Sequence, residues 1–262
     1  MTTQTHALPA RPTQTDIYLQ VLSALILRDM RSRFGGSYWG YLVQMLWPVV
    51  HVMVIFGLML HRGVDSPMGD SPLLFIATGA LPFLAFKYIS REMMKGYGVH
   101  KSLTWFPQVK RVDTMAARAM VEIVSSFMGI GVILVFLMSL GVDPVPVDLT
   151  MALTGYVAAM AMGIAIGVVN IGIVAIFPFW AMIYMLIAIL LYMSSGIMFM
   201  ACYMPEQIYA ILRWNPMVQI VEWVRLGYEP NLPIQIDYMY ICGWIFASLT
   251  IGFLMDRYVT AR

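Results

Sequence analysis

Long apolar runs separated by short polar segments dominate this chain. The first run, residues 38–60, contains no Lys, Arg, Asp or Glu. As a helix it would measure about 34 Å, slightly more than the roughly 30 Å hydrocarbon core of a bilayer. Similar runs recur along the chain and predict six spans, at about 37–60, 72–95, 113–142, 149–170, 178–200 and 238–256. The predicted fold class is therefore all-α, a polytopic membrane protein with six transmembrane helices.

The longest uncharged stretch has to hold two of these spans. Residues 149–205 carry no charged side chain, and a single helix of that length would measure about 85 Å, almost three bilayer cores. The chain must therefore fold back within it, and we place the turn between Asn170 and Phe179, around Pro178.

The second span has a cleanly apolar part of only about 21 Å as a helix, which is shorter than the bilayer core. It therefore has to continue past Lys87.

The segment before the first span divides into two parts. Residues 1–15 are polar and lack the basic-then-apolar order of a signal peptide, so we expect an uncleaved, flexible cytoplasmic tail. Residues 16–34 mix apolar positions with a basic end, and their apolar part is too short to cross. This pattern predicts an amphipathic interface helix on the inner membrane face. Residues 16–262 are predicted to form a single transmembrane domain.

Two short helices are predicted before the last span, in residues 203–230. Pro205 and Pro216 stand at favourable first-turn positions, and neither helix is long enough to cross. They form either a re-entrant hairpin that dips into the outer leaflet or a pair lying flat on the outer surface. The candidates for an outer gate in this hairpin are Trp214, Asn215, Glu222 and Arg225.

Composition and charge set the orientation and exclude a large soluble domain. The chain is 60% hydrophobic and 11% charged, whereas soluble domains carry about 25% charged residues. With six spans, all of the 16 Lys and Arg residues except Arg62, Arg213 and Arg225 fall on one side. Because basic residues are retained in the cytoplasm, both termini are predicted to be cytoplasmic.

The sequence offers no convincing catalytic or metal site. Residues 95–102 superficially resemble a phosphate-binding loop, but Lys95 and His100 stand where that motif requires glycines. His51 has no second ligand at metal spacing, and Cys202 and Cys242 are not spaced as metal ligands. We therefore expect no catalytic residues, no bound metal or cofactor, and no enzymatic activity in this chain alone. Energy from ATP would have to be supplied by a partner.

A basic stripe lies on the second span. Lys87, Arg91 and Lys95 recur every four residues and therefore share one helix face. The stripe either attracts an anionic substrate or consists of ordinary anchors whose side chains snorkel to water. Lys87 and Arg91 are candidates for lining a substrate channel.

Three stretches resemble the membrane subunits of type-2 ABC exporters, in the capsular polysaccharide export branch. They are residues 27–41 (LRDMRSRFGGSYWGY), 104–113 (TWFPQVKRVD) and 213–228 (RWNPMVQIVEWVRLGY). The resemblance covers about residues 16–256. It implies a homodimeric channel in the bacterial inner membrane, joined to two separate ATPase subunits that hold ATP and magnesium. It also implies a coupling helix within residues 96–107, with the contact candidates Gly98, His100, Lys101, Ser102, Leu103, Trp105 and Phe106.

The same resemblance implies the substrate and the remaining partners. The substrate would be a lipid-linked, usually acidic polysaccharide, passed to a periplasmic adaptor and an outer-membrane export protein; membrane lipids surround the chain and no nucleic acid is involved. A polar polymer needs an enclosed route lined by aromatic faces and polar edges. The channel candidates beyond Lys87 and Arg91 are Arg28, Arg31, Arg33, Tyr38, Trp39, Tyr41 and Trp47. These arginines would serve equally as topology anchors, and the aromatics equally as an interfacial belt.

Other functions remain open from the sequence. Related O-antigen and teichoic acid exporters often carry Arg where this chain has Gln108, which favours the capsule branch over them, and drug export within the superfamily is a further alternative. An ion-coupled secondary transporter would be expected to show internal repeats or interrupted spans with midplane charges. A membrane-bound transferase would need a convergent acidic or metal site.

Overall fold

A computed structural model describes residues 13–34, 38–61, 63, 66–69, 71–103 and 109–260, without the side chains of 32–34, 38–45, 97–103 and 259–260. All regular elements in these ranges are helices. They are α1 (Gln14–Phe34), α2 (Tyr38–His61), α3 (Pro72–Leu103), α4 (Arg111–Ser139), α5 (Leu149–Ile176), α6 (Trp180–Ser194), α7 (Glu206–Leu212), α8 (Pro216–Tyr228) and α9 (Tyr238–Thr260), with a short 3-10 turn at Ala201–Tyr203. The predicted all-helical class is confirmed.

Helices α3 and α5 form the centre of the bundle. Along α5, small residues recur every four positions at Gly155, Ala159, Gly163 and Gly167, which places them on one face. A Cβ atom at Gly163 would lie 2.9 Å from the backbone oxygen of Phe86 on α3. Such small residues let two helices approach closely inside a membrane, where hydrophobic attraction between helices is weak.

The other helices are arranged around this pair. Helix α9 packs on α5, where Gly252 lies against Val168. Helices α2 and α4 pack against α3 and against each other. The interface helix α1 lies along α4 through a small apolar cluster of Leu22, Leu25 and Ala117. Helix α8 is buried between α3 and α5, whereas α6 has only two buried residues, Tyr184 and Ala188.

Four described helices are long and apolar enough to cross a membrane: Pro72–Gly96, Arg111–Ser139, Leu149–Ile176 and Tyr238–Tyr258. The apolar parts Leu46–His61 and Trp180–Ser194 are shorter. The six-span count therefore stays a prediction. Two local expectations are confirmed, since α3 continues well past Lys87 and the uncharged stretch turns between Ile176 and Trp180.

The chain turns sharply after α6. Gly196 has a φ of +75°, a left-handed conformation that favours glycine and ends the helix. The residues that follow run into the protein, where Ile197, Met200 and Ala201 are buried. Helices α7 and α8 then occupy the segment in which two short helices were predicted; their depth in the bilayer stays a prediction.

Candidate functional site

One end of the bundle is held together by ion pairs. Arg118 on α4 donates to Asp29 Oδ1 on α1 at 3.2 Å and to Glu92 Oε2 on α3 at 3.4 Å. Arg111, at the start of α4, pairs with Asp256 on α9 at 3.1 Å. We call this the charged end. Its pairs connect α1, α3 and α9 to α4.

The described coupling candidates lie on α3 beyond Glu92, at the charged end. They fall on the last turns of α3, namely Gly98, His100, Lys101, Ser102 and Leu103, where the backbone is described and the side chains are not. Trp105 and Phe106 lie outside the described residues. The structure therefore places only residues 96–103 of the predicted coupling segment, at the end of α3 beyond Glu92, and the contacts of the segment stay a prediction.

The channel candidates are only partly described. Arg28 and Arg31 are exposed and line an open groove on α1 with Ala24 and Leu27. Trp47 on α2 is 53% exposed. The remaining first-span candidates have no described side chain; they are Arg33, Tyr38, Trp39 and Tyr41. The proposed role of this group in lining a channel stays a prediction.

The basic stripe on α3 changes in exposure along its length. Lys87 and Arg91 are half-buried, whereas Lys95 is exposed and pairs with Glu92 one turn away. Lys87 also interacts electrostatically with His51 on α2. Lys87 therefore differs from an ordinary exposed anchor.

Polar groups in mid-helix positions connect α6 to its neighbours. His51 Nε2 and the Tyr192 hydroxyl are hydrogen-bonded at 2.8 Å. The Tyr184 hydroxyl donates to Ser90 Oγ on α3 at 2.6 Å. We define the polar seam as His51, Lys87, Ser90, Tyr184 and Tyr192. Lys87 therefore belongs to a cluster of polar side chains on α2, α3 and α6 whose other members can donate and accept hydrogen bonds.

Arg225, an outer-gate candidate, is a buried structural clamp. Its side chain is fully buried and lies 4.3 Å over the Phe75 ring. Its guanidinium donates to the backbone oxygens of Gly196 at 2.8 Å, Ile197 at 3.2 Å and Phe199 at 3.2 Å. Arg225 thereby holds the turn after α6 against α8.

The other gate candidates have different positions. Glu222 is buried and accepts a hydrogen bond from the Tyr209 hydroxyl at 3.1 Å. Burial raises the pKa of Glu222 to about 7, and the hydrogen bond from Tyr209 opposes this rise.

Asn215 caps α8 and donates to Ser194 Oγ at 3.0 Å. Trp214 is 76% exposed. The structure thus brings Glu222, Arg225 and Asn215 to the junction between α6 and α8 and leaves Trp214 at the surface.

The sequence argument missed several residues of these sites. Tyr184, Ser90 and Tyr192 of the polar seam gave no signal, because each is an ordinary residue in an apolar helix. The close helix contacts did leave a signal, the four-residue spacing of small residues from Gly155 to Gly167.

The chain is similar to known proteins over most of its length. No protein-family model matches it. The polysialic acid transport protein KpsM of Escherichia coli is 28% identical over 242 residues, covering 90% of this chain and 92% of that protein. The capsule polysaccharide export inner-membrane protein CtrC of Neisseria meningitidis is 23% identical over 212 residues, covering 81% of this chain and 80% of CtrC. The capsule polysaccharide export inner-membrane protein BexB of Haemophilus influenzae is 22% identical over 209 residues, covering 80% of this chain and 79% of BexB.

These relatives confirm the resemblance predicted from residues 27–41, 104–113 and 213–228. CtrC and BexB are inner-membrane proteins of capsule polysaccharide export, and four described helices of this chain are capable of crossing a membrane. The chain is homologous to the inner-membrane permeases of capsule polysaccharide export.

Proposed function

We propose that this chain is the membrane subunit of an ATP-driven exporter that moves a lipid-linked, acidic capsular polysaccharide across the bacterial inner membrane. It works as a dimer together with two copies of a separate ATPase subunit. The observation that carries the proposal is the similarity to a polysialic acid transport protein over 90% of the chain and to capsule polysaccharide export inner-membrane proteins over 80–81% of it. Both termini lie in the cytoplasm, and a periplasmic adaptor and an outer-membrane export protein receive the polymer.

The polar seam supports a transport role. A polysaccharide cannot cross hydrocarbon without polar partners, since each unsatisfied polar group costs several kcal/mol there. The seam places the Lys87 cation within electrostatic reach of His51, which is hydrogen-bonded to Tyr192, among otherwise apolar helices. A cation in this position favours a polymer that carries carboxylate or phosphate groups.

The shape of α3 supports coupling to an ATPase. This helix has 32 residues, and its length of about 48 Å exceeds the bilayer core. Its last turns carry the coupling candidates, and its middle carries Lys87. The Arg118 ion pairs attach the interface helix to the same end. A push on the end of α3 would therefore move the interface helix and the polar seam together.

An export assay tests the function and the choice of an acidic substrate. Deletion of the chromosomal gene is expected to abolish surface polysaccharide and leave polymer inside the cell, and the wild-type gene restores export. Complementation with Lys87→Gln is expected to restore export only in part, at roughly a tenth of the wild-type rate, because loss of a half-buried cation removes a charge-assisted contact of about 1.5 kcal/mol or more. Polymer is measured separately on intact and lysed cells.

Lys95→Gln is the matched control, since it removes a cation from the same stripe at an exposed position, where an ion pair contributes little. Immunoblots confirm equal amounts of each variant in the membrane. Undiminished export with Lys87→Gln would exclude the proposed role of Lys87, and normal surface polysaccharide in the deletion strain would refute the export function.

Site-specific crosslinking tests the ATPase contact. A photo-reactive amino acid at Lys101 is expected to capture the ATPase subunit in membranes of the native strain, because Lys101 lies at the charged end of α3. The control position is Val147, which is 77% exposed in the turn before α5, at the opposite end of the bundle. Capture of the ATPase from Val147 and not from Lys101 would reverse the proposed orientation.

A further inference from the structure

We propose that an open cavity between α7, α8 and α9 is a carbohydrate-binding subsite, which takes one pyranose unit of the polymer at the end of the bundle opposite the charged end. This inference rests on the proposed export function and adds a specific contact to it. The cavity measures about 310 Å³ and is lined by Glu206, Ala210, Arg213, Trp214, Gln219, Asp237 and Tyr240. Its size lies at the lower end of the range for small-ligand sites.

The frame of the cavity is fixed by hydrogen bonds. Gln219 Nε2 on α8 donates to the Arg213 backbone oxygen at 3.1 Å, and Gln219 Oε1 accepts from the Asp237 backbone N–H at 3.0 Å. The Tyr240 hydroxyl on α9 donates to the Trp214 backbone oxygen at 2.7 Å. One buried amide and one tyrosine therefore join the three helices around the cavity. A site held in this way needs little reorganisation when it binds a ligand.

Trp214 supplies an aromatic face. Its backbone is fixed by Tyr240, yet its side chain is 76% exposed. A large apolar ring in this position gains free energy from any partner that covers it. The C–H face of a pyranose ring is a partner of this kind, because it presents flat apolar surface with hydroxyls at its edge.

The polar lining suits hydroxyl groups. Glu206 is exposed beside Trp214, and Asp237 lies on the α9 side, so two carboxylates can accept from hydroxyls. Within the described residues, the Arg213 side chain donates from Nη2 to the Gln235 backbone oxygen at 3.0 Å, and its other terminal nitrogen, Nη1, can donate to a ligand. The lining therefore combines donors and acceptors with an aromatic side chain.

The charge of the lining argues against other ligands. Two carboxylates and one guanidinium are among the lining residues, so the cavity is better suited to an uncharged, hydroxyl-bearing unit of the polymer than to a phosphate or a polyanionic headgroup. A purely apolar ligand would leave these charged groups without partners. A hydroxyl-rich, uncharged sugar unit avoids both costs.

The test uses the purified complex in nanodiscs. The probe is a set of fluorescently labelled oligosaccharides, prepared by partial hydrolysis of the surface polysaccharide of the host strain. Trp214→Ala is expected to weaken binding, measured by fluorescence anisotropy, by about tenfold, as loss of an aromatic contact does. Trp214→Tyr, which keeps a ring, is expected to retain most of the affinity, and Glu206→Gln is expected to weaken it severalfold. Tyr203→Ala is the matched control, since Tyr203 is 57% exposed outside the cavity lining.

The outcomes separate this inference from the proposed function. Equal affinity of Trp214→Ala, Glu206→Gln and wild type, or no binding by wild type, would overturn the subsite, while loss of surface polysaccharide in the deletion strain would still support export. If Trp214→Ala leaves sugar affinity unchanged but reduces co-purification of a periplasmic partner, the cavity docks a protein instead. Size-exclusion profiles identify any misfolded variant, and Trp214→Tyr and Glu206→Gln then decide the result.

Discussion

Replacement of Arg225 by methionine is expected to reduce the free energy of unfolding by roughly 3–5 kcal/mol, the usual effect of removing one partner from a buried charged network. The guanidinium satisfies the backbone oxygens of Gly196, Ile197 and Phe199 at a turn that has no helical hydrogen bonds of its own. Without it, these oxygens remain buried and unpaired, and buried Glu222 loses a nearby cation. Thermal unfolding in detergent, followed by size-exclusion chromatography, measures the loss.

Arg225→Lys separates charge from geometry. Lysine keeps the positive charge, but its compact ammonium group cannot donate to all three backbone oxygens as the planar guanidinium does. An intermediate loss of stability is therefore expected. Arg257→Met is the control, because it makes the same change at an exposed position near the end of α9. An Arg225→Met variant as stable as wild type would show that the clamp does not hold the turn.

Alanine at Gly227 is expected to have the second large effect, a loss of roughly 1–3 kcal/mol or more through overpacking. A Cβ atom there would lie 2.5 Å from the backbone N and 2.8 Å from the Cα of Ala152 on α5. Because these are backbone atoms, no side-chain rotation can relieve the clash, and α8 has to move away. That movement also stretches the hydrogen bond from Asp148 N–H to the Gly227 oxygen, which is 2.8 Å long.

Gly131→Ala on α4 provides a control with the opposite sign. No atom lies within 4 Å of its Cβ position, and alanine is favoured over glycine in helices by about 1 kcal/mol. The same substitution should therefore stabilise the protein slightly at Gly131 and destabilise it at Gly227. Equal melting temperatures for the two variants would contradict the close contact between α5 and α8.

Local patterns predicted much of the fold. The apolar runs, Pro178 and the paired Pro205 and Pro216 fixed the approximate helix positions, because periodicity and proline act within a few residues. The extension of α3 followed from the length a bilayer demands. The motif resemblance, confirmed by the capsule export relatives, gave the protein class.

Long-range pairing could not be predicted in the same way. Arg225 and Glu222 were expected at an outer gate because they lie in the predicted re-entrant hairpin, but Arg225 binds a turn 26–29 residues away in sequence. Likewise, the partner of His51 is Tyr192, 141 residues away. Such contacts depend on how α6 and α8 pack in three dimensions, and the local patterns of a single sequence do not determine this packing.

The sparse attachment of α6 has an energetic consequence for a protein in lipid. Its outward side chains are highly exposed, with Met182 at 67% and Leu190 at 70%, and lipid tails can cover them equally well in any orientation of the helix. Hydrogen bonds from Trp180 and Tyr184, together with the Tyr192 pair, therefore hold most of its position. Each such bond within a membrane contributes about 0.6 kcal/mol, so these three bonds together hold α6 by only a few multiples of thermal energy, whereas Asn215 and the Arg225 clamp fix the turn at its carboxyl end. The amino-terminal part of α6 can therefore move in lipid while the turn at its other end stays in place.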